Sequence, residues 1–511
     1  MSRLSELLAR FGGETISAHG ERDPEVHSVA LDSREVEDGT LFAALPGTAR
    51  DGAEFVKTAI EAGARAVLTT PAQVAAITES GELGVPLWVH PEAREVVGHA
   101  AAMVAGHPSH SLRVIAITGT NGKTSVAHLT SQLLEAGEVS TAELGTVGYR
   151  LAGNRTLPAT HTTPGAPSLQ RLFADHLGFG GQAVVLEASS HALDQERLAG
   201  TEVDIAVFTN LTRDHLDYHS DMDRYAEAKE RLFAMLTEKG TAVVKLDDPY
   251  SARMAKVARE RGAKVVSYGV SYGADAGADL CATRMTVERG GTRFTLEGMG
   301  IPVSEVCVPL FGRFNVENAL AATAAALLSG VSVSTVLETL ARIQPAPGRL
   351  EEVGRGSRDF SIVVDYAHTE NALEEVLCSL REVLSARDRG RLVCVFGCGG
   401  DRDRGKRDAM GRAVGRLADV AIVTSDNPRT EAPEKIVEEV WAGLTCVEGP
   451  RGQRAELHSE TDRRSAIELA IDLALPDDVV LIAGKGHETT QEVNGVLLPF
   501  DDRQVALEVL L

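Results

Sequence analysis

Thr118-Gly119-Thr120-Asn121-Gly122-Lys123-Thr124-Ser125 follows directly on the apolar run Val114-Ile115-Ala116-Ile117. The order is that of a buried strand, a tight glycine turn, a lysine, two hydroxyls and a helix expected from Val126. Glycines let backbone N–H groups approach phosphate oxygens, and a helix N-terminus adds partial positive charge. Lys123 can reach terminal phosphates, and Thr124 or Ser125 can ligate Mg²⁺. Gly119, Thr120, Asn121, Gly122, Lys123, Thr124 and Ser125 are therefore the candidate ATP-phosphate cradle. Only Thr120 and Asn121 separate the two glycines. The turn is thus shorter than the usual Walker form, which narrows the ATP-using families that fit.

Outward from this loop, the chain has 511 residues, enough for about three domains at roughly 150 residues each. At 43% hydrophobic and 24% charged residues it has the make-up of a soluble globular protein. No segment approaches the roughly 20 apolar residues that span a bilayer, so no membrane insertion is expected. Met1–Leu8 reads as a capped amphipathic helix rather than a signal peptide. Six cysteines without paired spacing suit a reducing cytoplasm. Cys394 and Cys398 fall in a strand and the glycine turn after it, a poor frame for zinc. A formal charge of −22 argues against general nucleic-acid binding. Anionic ligands then need local positive sites, and two are visible: the phosphate loop and the cluster Arg402, Arg404, Lys406 and Arg407.

Three blocks are expected, 1–110, 111–346 and 347–511. The first carries short apolar runs at Leu41–Leu45, Ala66–Leu68 and Leu87–Val89, with a helical stretch Phe55–Ala62 stopped by Gly63. Gly106–Ser111 reads as a linker. In the second block, apolar strands end in polar residues. Ala183–Leu186 ends at Glu187, Ile205–Phe208 at Thr209-Asn210, and Ala242–Val244 near Asp247-Asp248. In the third, Ile362–Val364 ends at Asp365, Leu392–Phe396 at Gly397–Gly400, Val420–Val423 at Thr424-Ser425-Asp426, and Val479–Ala483 at Gly484–Glu488. Strands alternating with helices imply α/β architecture with mostly parallel sheets. Ligands sit at the carboxyl ends of such strands, where these polar residues fall.

Several residues then gain candidate roles, each with a plainer alternative. Glu187, at a strand's carboxyl end beside the phosphate loop, suits Mg²⁺; it could equally cap. His215, in Asn210–His219, could ligate a metal or be a hydrogen-bonded loop histidine. Lys229 lies on a helix expected over Asp223–Leu236, at the face shared by Tyr225, Leu232, Phe233 and Leu236. Burial would lower its pKa, and a neutral lysine can take up CO₂ to become an anionic carbamate; otherwise it snorkels. Asp426-Asn427-Pro428-Arg429 could hold a zwitterion, with Arg429 on a carboxylate, or be a proline turn.

Together these segments resemble the Mur ligases, ATP-dependent enzymes that add amino acids to the UDP-linked peptidoglycan precursor. The likeness runs through all three blocks. It rests on Asp32-Ser33-Arg34, the phosphate loop, Thr162-Thr163-Pro164, Glu187–Leu193, Asn210–His219 and Tyr225–Lys229. It continues through Asn315–Asn318, Pro347-Gly348-Arg349, Asp365–His368, Gly399–Arg407, Asp426–Arg429 and Gly484–Glu488. Within the family it is most similar to the branch that adds the third peptide residue.

The resemblance implies a small N-terminal α/β block that binds the UDP precursor, a central phosphate-loop ATPase-like block, and a C-terminal Rossmann-like block that binds the amino acid. It implies that Ser33, Thr162, Thr163, Ser189, Gln195 and Arg197 hold the UDP precursor. Asn318, Arg349 and Asp365 join the phosphate loop around ATP, the co-substrate. Thr124, Glu187, His215 and a carbamylated Lys229 organise Mg²⁺, and Lys123, Glu187, His215 and Lys229 form the catalytic group. Arg402, Asp426, Asn427, Pro428, Arg429, Gly484 and Glu488 bind the incoming amino acid. The Asp-Asn-Pro-Arg form resembles enzymes selecting diaminopimelate, whose second carboxylate can pair with Arg402 and Arg429 and which lysine lacks. Two positions depart from the family pattern: His161, where many relatives have Asn, and Ala53, where a His is common. A monomer acting on small molecules in the cytoplasm is expected, with closure of the C-terminal block on the central one. Folylpolyglutamate synthase, lysine- or D-alanyl-D-alanine-adding Mur ligases, and an ATP-gated scaffold without catalysis are the competing readings.

Overall fold

The computed structural model describes residues 2–16, 22–47, 50–79, 83–271, 277–288, 291–354, 356–387, 389–452 and 454–510; Met1 lies outside them. Each block builds its own principal sheet. Near the N-terminus, five strands run in the order Glu14–Ile16, Leu87–Val89, Ala64–Thr69, Thr40–Ala44, Ser28–Ala30, parallel apart from the first. The N-terminal amphipathic helix is Leu4–Phe11, with Leu4 and Leu7 buried.

The central sheet has eleven strands. Its parallel middle places Arg113–Thr118, which feeds the phosphate loop, between Ala183–Glu187 and Val203–Phe208. Register aligns Glu187 with Ile117 and Phe208 with Thr118, so the polar residues ending all three strands meet at one edge. Near-continuous apolar strands are what a sheet covered on both faces requires, and Val114–Ile117 are each fully buried. The loop helix, Lys123–Ala136, packs on the Ala-rich helix Arg313–Leu328 in the core beneath. A helix apolar on all sides is one buried on all sides. Three antiparallel strands, Leu280–Glu288, Gly291–Gly298 and Ile301–Val308, extend one edge, the first pairing in parallel with Lys264–Val270.

The C-terminal sheet orders Glu351–Val353, Ser361–Asp365, Val479–Ala483, Leu392–Cys398, Val420–Ser425 and Glu456–Ser459. All neighbours are parallel except the first pair. Their carboxyl ends gather Asp365, Gly484, the Gly399 turn and Asp426.

Four local expectations need correction. The loop helix begins at Lys123, not Val126, because Gly122 already takes the left-handed turn at φ 86°. The helix carrying Lys229 is Met222–Ala234, and Leu236 opens the next strand. Cys398 is the last residue of its strand, not part of the turn. Gly106–Ser111 is a structured corner: His107 is left-handed, and Pro108 and Ser109 are buried. The blocks touch through Arg171–Glu35 (3.1 Å), Asn121 Nδ2 donating to Asn371 Oδ1 (3.1 Å), and Arg349 Nη2 donating to Thr124 Oγ1 (3.4 Å).

Candidate active site between the central and C-terminal blocks

Two adjoining cavities lie where the central and C-terminal sheets present their strand ends. The first is walled by Thr120–Ser125, Glu187 and Asn318 from the central block, and by Arg349, Asp365 and Tyr366 from the C-terminal block. Gly119 sits just behind the lining. A Cβ there would stand 1.8 Å from Thr209 Oγ1, so the strand can enter the turn only with glycine. Gly122 is similarly constrained, with Asn318 Oδ1 2.6 Å from a built Cβ.

Glu187 is held by three donors. Oε1 accepts from the Thr146 N–H (2.8 Å), and Oε2 from the hydroxyls of Thr124 (2.9 Å) and Thr146 (3.1 Å). Lys123 Nζ donates to the carbonyls of Gly119 (3.0 Å) and Thr120 (2.9 Å). Lys229 Nζ, 1% exposed, donates to the same Gly119 carbonyl at 2.8 Å and lies 4.5 Å from the Tyr225 ring centroid. Burial, then repulsion from Lys123, pushes the Lys229 pKa well below its ordinary value. The snorkelling alternative is therefore wrong: the amine is enclosed and biased towards neutrality. His215, left-handed at φ 54°, faces the first cavity beside Asp214, and burial draws its pKa down to about 4.

On the C-terminal side, Asp365 accepts the backbone N–H groups of Leu350 and Ala367, both at 2.7 Å. Arg349 stacks on Tyr366, 4.6 Å from the ring centroid, and its Nε has no hydrogen-bond partner among the described residues.

The expected precursor residues form a connected group, with one apart. The Thr163 hydroxyl donates to the Glu187 carbonyl (2.7 Å) and meets Ser189 Oγ (3.3 Å). Arg197 bonds the Thr163 carbonyl and Gln195 Oε1, and Thr162 reaches Thr146 Oγ1 at 3.2 Å. Thr162 and Ser189 line a cavity, whereas Thr163, Gln195 and Arg197 stand behind the walls and Ser33 sits further off, in a 3₁₀ turn whose Glu35 pairs with Arg171. Of the departures, Ala53 begins its turn by donating its N–H to Asp51, and the His161 carbonyl accepts the Tyr149 hydroxyl at 2.6 Å.

The second cavity gathers Arg402, Asp426, Asn427, Arg429, Gly484 and Glu488. Pro428 does not line it; its carbonyl faces Gly400, shaping the turn. Asp426 Oδ2 is buried with no hydrogen-bond partner among the described residues, 2.6 Å from where a Cβ on Gly484 would stand. Burial works to raise the Asp426 carboxyl, but Arg463 and Lys485 outweigh it and hold it below the usual range. Arg429 Nη1 donates to the Gly400 carbonyl (2.7 Å) and its Nε approaches Glu492 (3.2 Å).

Thr146, Asp214, His368 and Lys485 had no expected role, although all belong to this region. Lys485 and Asp214 were legible by the signal that found Glu187, a charged residue soon after an apolar strand. Thr146 carries no such signal.

Three family models match along the chain: Mur ligase family, catalytic domain, at 25–108; Mur ligase middle domain at 117–326; and Mur ligase, glutamate ligase domain, at 348–486. A UDP-N-acetylmuramoyl-L-alanyl-D-glutamate–2,6-diaminopimelate ligase from Chromobacterium violaceum is 43% identical, covering 95% of this chain and 94% of its own. A solved structure of a ligase with the same printed name is 36% identical, with a TM-score of 0.66, covering 95% of this chain and 94% of that one. A folylpolyglutamate synthase from Mycobacterium tuberculosis, 21% identical, shares the fold alone over 76% of this chain and 92% of its own, with a TM-score of 0.59. The chain belongs to the Mur ligase family.

Proposed function

We propose that the protein is an ATP-dependent amide ligase that adds diaminopimelate to UDP-N-acetylmuramoyl-L-alanyl-D-glutamate through an acyl phosphate. The observation that carries this is a pair of adjoining cavities that share Asp214, His215, Tyr366 and His368 in their walls. One holds the phosphate loop and the other holds both signs of charge, in a chain alike over nearly its full length to diaminopimelate ligases. Folylpolyglutamate synthase is disfavoured, because its likeness is one of fold and covers less of the chain.

The roles follow the geometry. Gly119–Ser125 cradle the ATP phosphates, with Asn318, Arg349 and Asp365 around the rest of the nucleotide. Lys123 leaves its two loop carbonyls to meet the γ-phosphate. The hard oxygens of Thr124 and Glu187 fit Mg²⁺, with His215 presenting a neutral ring. As an ammonium Lys229 is only a donor and cannot ligate a cation, but its enclosure and depressed pKa favour the neutral amine that carbamate formation with CO₂ requires. The bound ion would neutralise phosphate charge. Ser33, Thr162, Thr163, Ser189, Gln195 and Arg197 hold the precursor so that its terminal carboxylate faces the γ-phosphate. Positioning and charge neutralisation do most of the work in such a transfer. The carboxylate attacks phosphorus and ADP leaves. The amine of diaminopimelate, held by Asp426, Asn427, Glu488, Arg402 and Arg429 against the Gly484 backbone, then attacks the acyl carbon and phosphate leaves. No protein nucleophile takes part.

We read the units as 1–110, 111–346 and 347–511, each with its own principal sheet. The catalytic cleft uses one chain, so a monomer suffices. Among the described residues no helix is long and apolar enough to cross a membrane, and the proposed place of action is the cytoplasm. The test is phosphate release with each substrate omitted in turn. Release is expected only with ATP, precursor and diaminopimelate together. Steady release without the amino acid, or without the precursor, contradicts the proposal.

A further inference from the structure

Lys485 stands between Gly484 and Gly486, two residues beyond the strand Val479–Ala483, and its side chain is fully buried. Its ammonium has three donors, and all are used within the protein. They reach Glu488 Oε2 at 2.8 Å, Asn427 Oδ1 at 3.2 Å and the Thr490 carbonyl at 2.6 Å. Lys485 itself does not line the cavity, whereas Asn427 and Glu488 do. The lysine therefore has nothing left to offer a substrate; it acts on the cavity residues Asn427 and Glu488 through hydrogen bonds and on Asp426 through charge.

Its effect on Asn427 is directional. Oδ1 accepts from Lys485 Nζ and from the Glu492 N–H (2.9 Å), filling both lone pairs. Nδ2 donates one hydrogen to Glu488 Oε2 at 2.9 Å. A flipped amide would set its NH₂ against two donors, so the orientation shown is the one the surroundings allow. What remains for a ligand is one Asn427 N–H. Glu488 spends Oε2 on Lys485 and Asn427, and among the described residues Oε1 accepts no hydrogen bond. A donor thus stands beside a free carboxylate oxygen. That pairing matches the adjacent carboxylate and ammonium of an α-amino acid.

We propose that Lys485 is the positioning residue of the amino-acid site, locking Asn427 and Glu488 so that together they present one N–H donor and one carboxylate oxygen to the α-amino-acid head of the substrate. The assignment rests on the ligase reading above. Removing the lysine frees the amide to flip and Glu488 to turn, while the phosphate loop and the precursor site are untouched.

The experiment is steady-state phosphate release, varying diaminopimelate, ATP and precursor in turn. For Lys485→Met the diaminopimelate KM should rise by about tenfold or more, the scale of one charge-assisted hydrogen bond. The KM values for ATP and precursor should stay within about twofold of wild type. Asn427→Asp keeps the side-chain shape, removes the free N–H, and should raise the diaminopimelate KM similarly. It decides the matter if Lys485→Met does not fold. An unchanged diaminopimelate KM in Asn427→Asp, or equal weakening of all three substrates in a folded Lys485→Met, overturns the assignment. A wild-type enzyme that releases no phosphate in response to diaminopimelate contradicts the ligase reading itself, and this assignment with it.

Discussion

Replacing Glu375 by Gln should stabilise the protein, and more so as pH rises. Glu375 lies on the helix Glu370–Arg387 and faces the first cavity with no hydrogen bond to its carboxyl among the described residues. Burial, reinforced by Glu317 and Asp365 and opposed by Lys245, raises its pKa from 4.5 to about 7. A carboxyl whose folded pKa is raised binds more protons folded than unfolded. Stability therefore falls as pH climbs from the unfolded value through the folded one, and stays low above it. That shift corresponds to a penalty of about 1 kcal/mol at pH 5.5 and about 3 kcal/mol at pH 8. Glu375→Gln removes the ionisation. Its gain over the wild type should thus grow by about 2 kcal/mol between those pH values, or roughly 4–8 °C in Tm for a unit of this size. Thermal melts of both proteins without nucleotide, at pH 5.5 and pH 8, measure it. A difference between the two proteins that does not change with pH refutes the reasoning, because it leaves Glu375 ionised at no cost in the fold.

Gly119→Ala should abolish ATP binding by calorimetry, since the new Cβ would stand 1.8 Å from Thr209 Oγ1 and force the loop open; wild-type affinity would show that the turn is not the cradle. Glu187→Gln keeps the shape that three donors hold, so its Tm should move by only a few degrees while kcat falls about 100-fold or more, the scale of lost electrostatic stabilisation. Equal kcat in this variant would remove Glu187 from the metal frame. Lys229→Ala should nearly abolish turnover, with partial rescue by small carboxylates; wild-type activity would end the carbamate reading.

Much of the architecture was legible because apolar runs ended in polar residues, and register then brought those ends to one edge. Glu187, Thr209 and the phosphate loop were adjacent on paper only as separate strand ends; the parallel pairing of their strands makes them neighbours. The helical spacing of Tyr225, Lys229 and Phe233 pointed to a lysine at an apolar face, and the structure buries it. What stayed hidden is relational. No pattern says that Lys229 and Lys123 share the Gly119 carbonyl. None says that Thr146 donates twice to Glu187, or that Ser33 stands apart from the cavities. The early start of the loop helix is not visible in sequence, because glycine at 122 signals a turn without showing that its left-handed φ launches the helix at once. Pro428 shares its motif with residues that line the second cavity, but it stands outside that lining and bends the chain that carries Asn427 and Arg429.

The identity of the amino acid joined sets this ligase apart from its lysine-adding relatives. The most direct measurement is the mass of the product formed from UDP-N-acetylmuramoyl-L-alanyl-D-glutamate and ATP when diaminopimelate and lysine compete at equal concentration. A precursor heavier by one diaminopimelate residue is expected, with lysine left unused and Arg429→Ala losing that preference. A product carrying lysine, or a precursor left unextended while ATP is consumed, would contradict it.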